Sequence, residues 1–303
     1  MRQLNRLVLT AAAALTTVFL GGNASASMIG PVDLGTAGEF TLLALNGDIQ
    51  DSGPTGPDAN PSSVSGKIGI ATAGHKFQTS GSRIYDGPIY IHTGSTLSSS
   101  AIGFPTPQQS AAIDQMLAQA SADAFAASNF AAGLQATATY GNINSSLSIT
   151  QNAVGNYVFD IQSINFSGGK SLTLSAPAGS NFILNIQQGG ITLSPGSIVL
   201  AGGLTPDHVL INYTGTNDIK TSGGSNSSRI YANILAPNAH VQLTPGFVAG
   251  FIIAQSIQMS SGANVVPVPE VTPSSVIFGF IGLIVAFASR RSLLARMRAI
   301  KIS

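Results

Sequence analysis

The sequence predicts a mainly β chain wound into a β-solenoid, with one long α-helix lying along it. Three observations carry this. Apolar runs of four to six residues, rich in β-branched side chains, recur from Val32 to Val266 between clusters of Gly, Ser, Asn and Pro. Similar segments return at an interval near one solenoid coil. A single Ala-rich stretch has helical rather than strand periodicity.

The apolar runs place strands at 40–45, 67–71, 89–92, 157–161, 172–175, 182–186, 209–213, 230–235 and 251–254. Phe182-Ile183-Leu184-Asn185, Val209-Leu210-Ile211-Asn212, Ile230-Tyr231-Ala232-Asn233 and Phe251-Ile252-Ile253-Ala254 recur at offsets of 27, 21 and 21 residues. Stacked coils put like residues above one another, so apolar ladders fill the bore and Asn side chains satisfy turn backbone. A second echo, Ser82-Arg83-Ile84-Tyr85 against Ser228-Arg229-Ile230-Tyr231, predicts equivalent coils far apart in the chain.

The helix is expected over 107–132. Thr106-Pro107-Gln108-Gln109 has a capping-box layout with Pro at the first helical position, and Gly133 closes the run. Ile113, Met116, Leu117, Ala120, Ala124, Ala127 and Ala131 form its apolar stripe. Such a helix is ~39 Å long, and a stripe made mostly of alanine lies close against a sheet.

The two ends carry address signals. Arg2 and Arg6, an apolar run over 7–20 and the small-residue site Ala24-Ser25-Ala26 read as a signal peptide over 1–26, cleaved after Ala26. The ectodomain is then 27–266. Residues 267–273 form a Pro-rich linker, and 274–303 an apolar stretch followed by a basic tail, read as a short transmembrane helix with a cytoplasmic stop. Pro269-Glu270, the apolar stretch with Gly279 and Gly282, and the Arg290-Arg291 stop together resemble the PEP-CTERM sorting signal. Val271 departs from its third motif position, where the family has Pro. The resemblance implies an exosortase-type partner, transient anchoring in the inner membrane and a Gram-negative cell surface or matrix. A plain C-terminal anchor is the alternative.

Composition excludes several functions. The chain has 303 residues, 44% hydrophobic and 8% charged, with 34 Gly, 15 Pro and no Cys or Trp. Seven of its 13 basic residues sit at the ends, leaving six basic against twelve acidic residues between 27 and 270. A nucleic acid needs clustered Lys and Arg to displace counterions, so none is expected as a partner. No Cys nucleophile, Gly-x-Ser-x-Gly elbow or His-Glu-x-x-His occurs. Gly169-Lys170-Ser171 reads as a turn, because Ile164 stands where a phosphate loop needs glycine. His75, His92, His208 and His240 lack metal-ligand spacing. Asp48, Asp51 and Asp58 share a Gly/Pro loop where a weak ion site is conceivable. No cofactor, no metal and no catalytic residue is therefore expected.

The opening phrase Leu34-Gly35-Thr36-Ala37-Gly38-Glu39-Phe40, the Ala-rich helix, and the closing Ile234-Leu235-Ala236-Pro237-Asn238-Ala239 with Gly250-Phe251-Ile252-Ile253-Ala254-Gln255-Ser256 resemble two neighbouring families. These are the bacterial choice-of-anchor A domain and the ice-binding-like (antifreeze) domain. The second implies a right-handed β-solenoid of triangular section with a long helix alongside. The expected function is a non-enzymatic structural or adhesive protein of the cell envelope or extracellular matrix, with an exopolysaccharide or matrix protein as partner. Ice binding through a flat solenoid face is the alternative, and a polysaccharide-acting enzyme the third class. Thr137-Ala138-Thr139 and Thr214-Gly215-Thr216 are the Thr candidates for an ice face, but they do not recur at coil spacing. Tyr85, Tyr90 and Tyr231 are candidates for stacking on sugars or for ordinary strand packing.

Overall fold

A computed structural model describes residues 28–53, 62–81, 83–99, 105–223, 228–260 and 262–267. The coils pair in parallel, like position above like position, and build three faces. The helix-covered face stacks 138–140, 156–161, Asn181–Ile186, Val209–Tyr213, 233–236, 252–254, Phe40–Ala44, Lys67–Ile70 and Ile89–Ile91. An open face stacks 163–167, 191–194, Ile219–Ser222, 240–244, 256–260, Ile49–Ser52, Lys76–Ser80 and Thr96–Ser99. The third face runs from Leu147–Thr150 through Arg229–Tyr231, Phe247–Ala249 and Asn264–Val266 to Ser62–Ser65 and Arg83–Asp86.

Stacking order is not chain order. Ile252, Ile253 and Ala254 pair with Leu42, Leu43 and Ala44, so the N-terminal coils sit on top of the last C-terminal one. Helix α1 (Ala111–Ala132) makes this possible. It leaves the top coil, where Gln108 bridges Tyr90, and delivers the chain to the bottom coil, where the Thr137 N–H donates to the Val158 carbonyl. The nine strands of the helix-covered face rise ~38 Å at ~4.8 Å per step. The 22 residues of α1 cover ~33 Å of that, and the extended residues after Gly133 supply the rest.

Alternation in each strand divides the apolar residues. Inward positions fill the bore with ladders such as Ile191, Ile219, Val241, Ile257, Ile49 and Phe77, and with Phe159 against Phe182 at 5.2 Å between ring centroids. Outward positions on one face, among them Val158, Ile183, Leu210, Leu235, Ile253 and Leu43, meet Leu117, Ala120, Ala124, Ala127 and Ala131 of α1 in a second core. The opening phrase is a clamp on this helix. Its 3₁₀ turn, Gly35–Glu39, donates the Thr36 N–H to Asp123 Oδ2 at 2.8 Å. A Cβ on Gly35, which has φ +50°, falls 2.5 Å from that same oxygen.

Four expectations are corrected. First, α1 starts at Ala111 and not at 107. Gln108 is spent on the sheet, donating to the Ile89 carbonyl and accepting from Ile91 N–H, so Ser110 becomes the cap and accepts from the Ile113 N–H. Second, 230–235 is two strands, Arg229–Tyr231 and Asn233–Thr244, which lie on different faces.

Third, the Ile230–Asn233 repeat is out of register. Asn212 pairs with Leu235, while Asn233 pairs with Leu210. Asn233 alone of the three does the turn work expected of it, donating to the Pro206 and Val209 carbonyls and accepting from the Phe251 N–H. Asn185 and Asn212 instead point at the helix. Fourth, the Ser-Arg-Ile-Tyr echo does share one face, but the column through Arg229, Phe247, Asn264 and Ser63 arrives at Ile84 and not at Arg83. A slip of one residue reverses the side chains. Tyr85 therefore packs on the bore, edge-on to Phe77, whereas Tyr231 faces out beside Phe247.

The signal-peptide site Ala24/Ala26, the sorting motif Pro269-Glu270, the Arg290-Arg291 stop and the C-terminal apolar stretch lie outside the described residues. Among those described, no helix is long and apolar enough to cross a membrane.

Candidate functional site

The open face is built from alternate residues of its strands, and its outward columns run in register. One column carries hydroxyls: Ser167 pairs with Ser194, Ser222 with Thr244, Ser260 with Ser52, and Ser52 with Ser80. Ser222 donates to Ser194 Oγ at 2.7 Å, closing the step between the first two pairs. The neighbouring column carries amides. Gln242 pairs with Gln258, Gln258 with Gln50, and Gln50 with Gln78, continuing from Thr192 and Lys220 below. The residues between these columns point inward, including Thr221, Leu243, Met259, Asp51 and Thr79. Side chains therefore repeat at the strand spacing, ~4.8 Å, along the stack. A long parallel sheet of this kind is held regular by the coils stacked beneath it and by its side-chain ladders.

The edge of this face toward the helix-covered face holds a shallow depression of about 370 Å³ lined by Asp48, Gln50, His75, His240, Ser256 and Gln258. Asp48 Oδ1 accepts from the Lys76 N–H at 2.9 Å and lies 3.4 Å from His75 Nδ1. His240 Nδ1 is 2.7 Å from Ser256 Oγ. Lys220 pairs with Asp218 at 3.0 Å farther down.

The other sequence candidates are dispersed. Asp48 faces out while Asp51 turns into the bore and accepts from the Tyr85 hydroxyl at 2.5 Å; Asp58 lies outside the described residues. The proposed three-carboxylate loop is thus split by strand alternation. His92, on the top coil, sits beside Asp114, and His208, near the middle of the stack, sits beside Asp207. Among the described residues no three His, Asp or Glu side chains gather to hold a metal. Tyr90 points out of the bore but packs edge-on to Phe40 beneath the helix, so of the three tyrosines only Tyr231 looks outward from a face the helix leaves open. Gly168 and Gly169 turn a corner with φ +68° and +80°, as read for the Gly-Lys-Ser segment. Thr137 accepts from the Val158 N–H at 3.1 Å and forms no column with Thr139. The sequence reading missed the Ser/Thr and Gln columns, whose members come from strands as distant as Gln50 and Gln242.

A family model described as a putative ice-binding-like adhesive domain matches residues 9–265. The chain belongs to that family. Of the two families the sequence resembles, it is the ice-binding-like one whose model matches. No curated protein matches. Among solved structures, this ice-binding-like domain is similar to the ice-binding protein LeIBP from an Arctic yeast, with 20% identity and TM-score 0.52 over 80% of this chain and 97% of that one. An ice-binding protein from an Antarctic bacterium of the Flavobacteriaceae gives 20% identity and TM-score 0.53, over 81% of this chain and 49% of that one. At such identity the likeness is one of fold, and the stack with its flanking helix is what is shared.

Proposed function

We propose that this ice-binding-like domain is a non-enzymatic adhesive module that grips an extended, ordered surface with its open face. The hydroxyl column from Ser167 to Ser80 is the observation that carries the reading: short side chains repeat at one spacing along the stack, with the Thr244 hydroxyl turned away from the surface. Ser and Thr lose little rotamer freedom when held, so a regular lattice is met at small entropic cost. Ice is the first surface to test, because ice-binding proteins share the fold. The purified protein is expected to partition into a growing ice front and to slow recrystallisation. Ser52→Tyr with Ser194→Tyr should abolish both by lifting the face off the lattice. Equal activity in that double variant would place the ice site elsewhere, and an inactive wild type would leave adhesion to a non-ice surface as the reading.

Export and surface display complete the proposal, in keeping with the extracellular or surface location typical of such adhesive domains. The Ala24-Ser25-Ala26 site and the Pro269-Glu270 tail with its Arg290-Arg291 stop support secretion followed by exosortase-type sorting through transient anchoring in the inner membrane. Mass spectrometry of the mature protein tests it: a chain still carrying the residues after Pro273 speaks against processing.

A further inference from the structure

The amide column and the adjoining depression have a chemistry different from the hydroxyl column. The side chains of Gln242, Gln258, Gln50 and Gln78 stand in register, and no hydrogen bond ties their amides to any other described residue. Each offers a donor and an acceptor. Beside Gln258 and Gln50 the depression adds His240, whose Nδ1 is engaged by Ser256, and Asp48, whose Oδ1 is engaged by Lys76 N–H and His75; His240 Nε2 and Asp48 Oδ2 remain. The formal charges balance by count: Lys220 is paired with Asp218, and Lys76 and Asp48, joined through the Lys76 backbone N–H, add one charge of each sign. Among the described residues, none of the exposed large apolar side chains, which are Met28, Ile84, Phe125, Phe130, Val154 and Val266, belongs to this face.

These features select a ligand. Balanced charge gives an anionic polymer no advantage, and the lack of apolar surface gives a membrane or a hydrophobic protein patch none. A peptide strand needs a sheet edge, and this is a sheet face. Four long Gln side chains lose much rotamer freedom when immobilised, which suits a partner that offsets this with paired hydrogen bonds rather than a rigid lattice. Vicinal sugar hydroxyls, each both donor and acceptor, do that. We propose that the Gln column and the Asp48–His75–His240 depression form a track for a neutral linear polysaccharide lying along the stack axis, about one sugar per coil. This rests on the open face being the adhesive face, but not on ice being its surface.

The test uses the full purified chain and three probes: a soluble neutral β-1,4-glucan, dextran and anionic alginate, in affinity electrophoresis and titration calorimetry. The neutral glucan should retard the wild type while alginate does not. Gln50→Ala with Gln258→Ala should weaken glucan binding about tenfold or more, the loss of two to four modest hydrogen bonds. Ser148→Tyr, an outward position on the third face, should leave it within about twofold. Both sites are outward positions on strands, and an unchanged thermal midpoint confirms folding. As a second readout, the side-chain NH₂ resonances of Gln50 and Gln258 should shift with glucan. Undiminished binding in the Gln variant, a preference for alginate, or no neutral-glycan binding overturns the track. If ice or solid-surface adhesion still responds to the Ser52 and Ser194 substitutions in that event, the adhesive-face reading survives and the glycan track alone falls.

Discussion

Replacing Asn212 by Leu tests what locks the helix to the solenoid. Asn212 is 0% exposed, and Asn185 and Ser128 are each 3% exposed. Asn212 Nδ2 donates to the Ser128 carbonyl at 3.0 Å and to Asn185 Oδ1 at 2.9 Å, and its Oδ1 accepts from the Ser128 hydroxyl at 2.7 Å. Asn185 Nδ2 in turn donates to the Ala131 carbonyl at 2.8 Å, one of the helix-end acceptors that α1 itself leaves unpaired. Leu is close in volume and matches Leu235 one coil above, so no large cavity forms. The substitution instead strands Asn185 Oδ1 and the Ser128 hydroxyl in a dry interface. At about 1–3 kcal/mol per stranded buried group, the loss is about 3–4 kcal/mol. Removing the second partner as well, in Asn212→Leu with Ser128→Ala, should recover about 1–2 kcal/mol of it. Urea unfolding followed by circular dichroism reads this as a lowered midpoint at unchanged slope. A single variant as stable as wild type, or a double variant less stable than the single, would refute the ladder as the lock.

Two further outcomes follow from backbone and charge. Gly87 has φ +147°, and a Cβ there lies 2.2 Å from the Gly66 carbonyl oxygen; Gly87→Ala should cost about 3 kcal/mol or more, since backbone lies on both sides of the clash, and a thermal scan showing less than a few degrees of change would contradict this. The Thr93 N–H, donated to Asp114 Oδ1 at 2.9 Å, holds the Asp114 carboxyl below its ordinary range. Its contribution is therefore complete above the unfolded carboxylate value and is lost as pH falls through the lower folded one. Between neutral pH and pH 3 the wild type should lose more stability than Asp114→Asn; parallel pH profiles would show that the contact carries no linkage.

Local rules in the sequence reached the strands, the helix face and its Gly133 end because each depends on neighbours three or four residues away. Strand alternation, helical spacing and turn residues are short-range. The helix start was misread because Gln108, inside the Thr106–Gln109 capping-box phrase, is taken by a partner, Ile89, nearly twenty positions earlier. The Ile230–Asn233 repeat failed for a similar reason. Coil lengths vary at the corners, as at the register shift between Ala236 and His240, and a four-residue likeness does not fix which residue stacks on which. The binding face was hidden more deeply, since its Gln column joins Gln242 and Gln258 to Gln50 and Gln78 across the break in chain order.

Taken alone, then, the amino-acid order determined that the chain forms short β coils with one alanine-faced rod beside them, since burial period is written in each segment. Only the tertiary structure decided that the first coils stand upon the last, and hence which side chains share a column. That decision depends on long-range pairing between Phe40–Ala44 and 252–254 and on a helix long enough to return the chain to the other end. No local property of either segment specifies the partner; the summed pairing of the whole stack does.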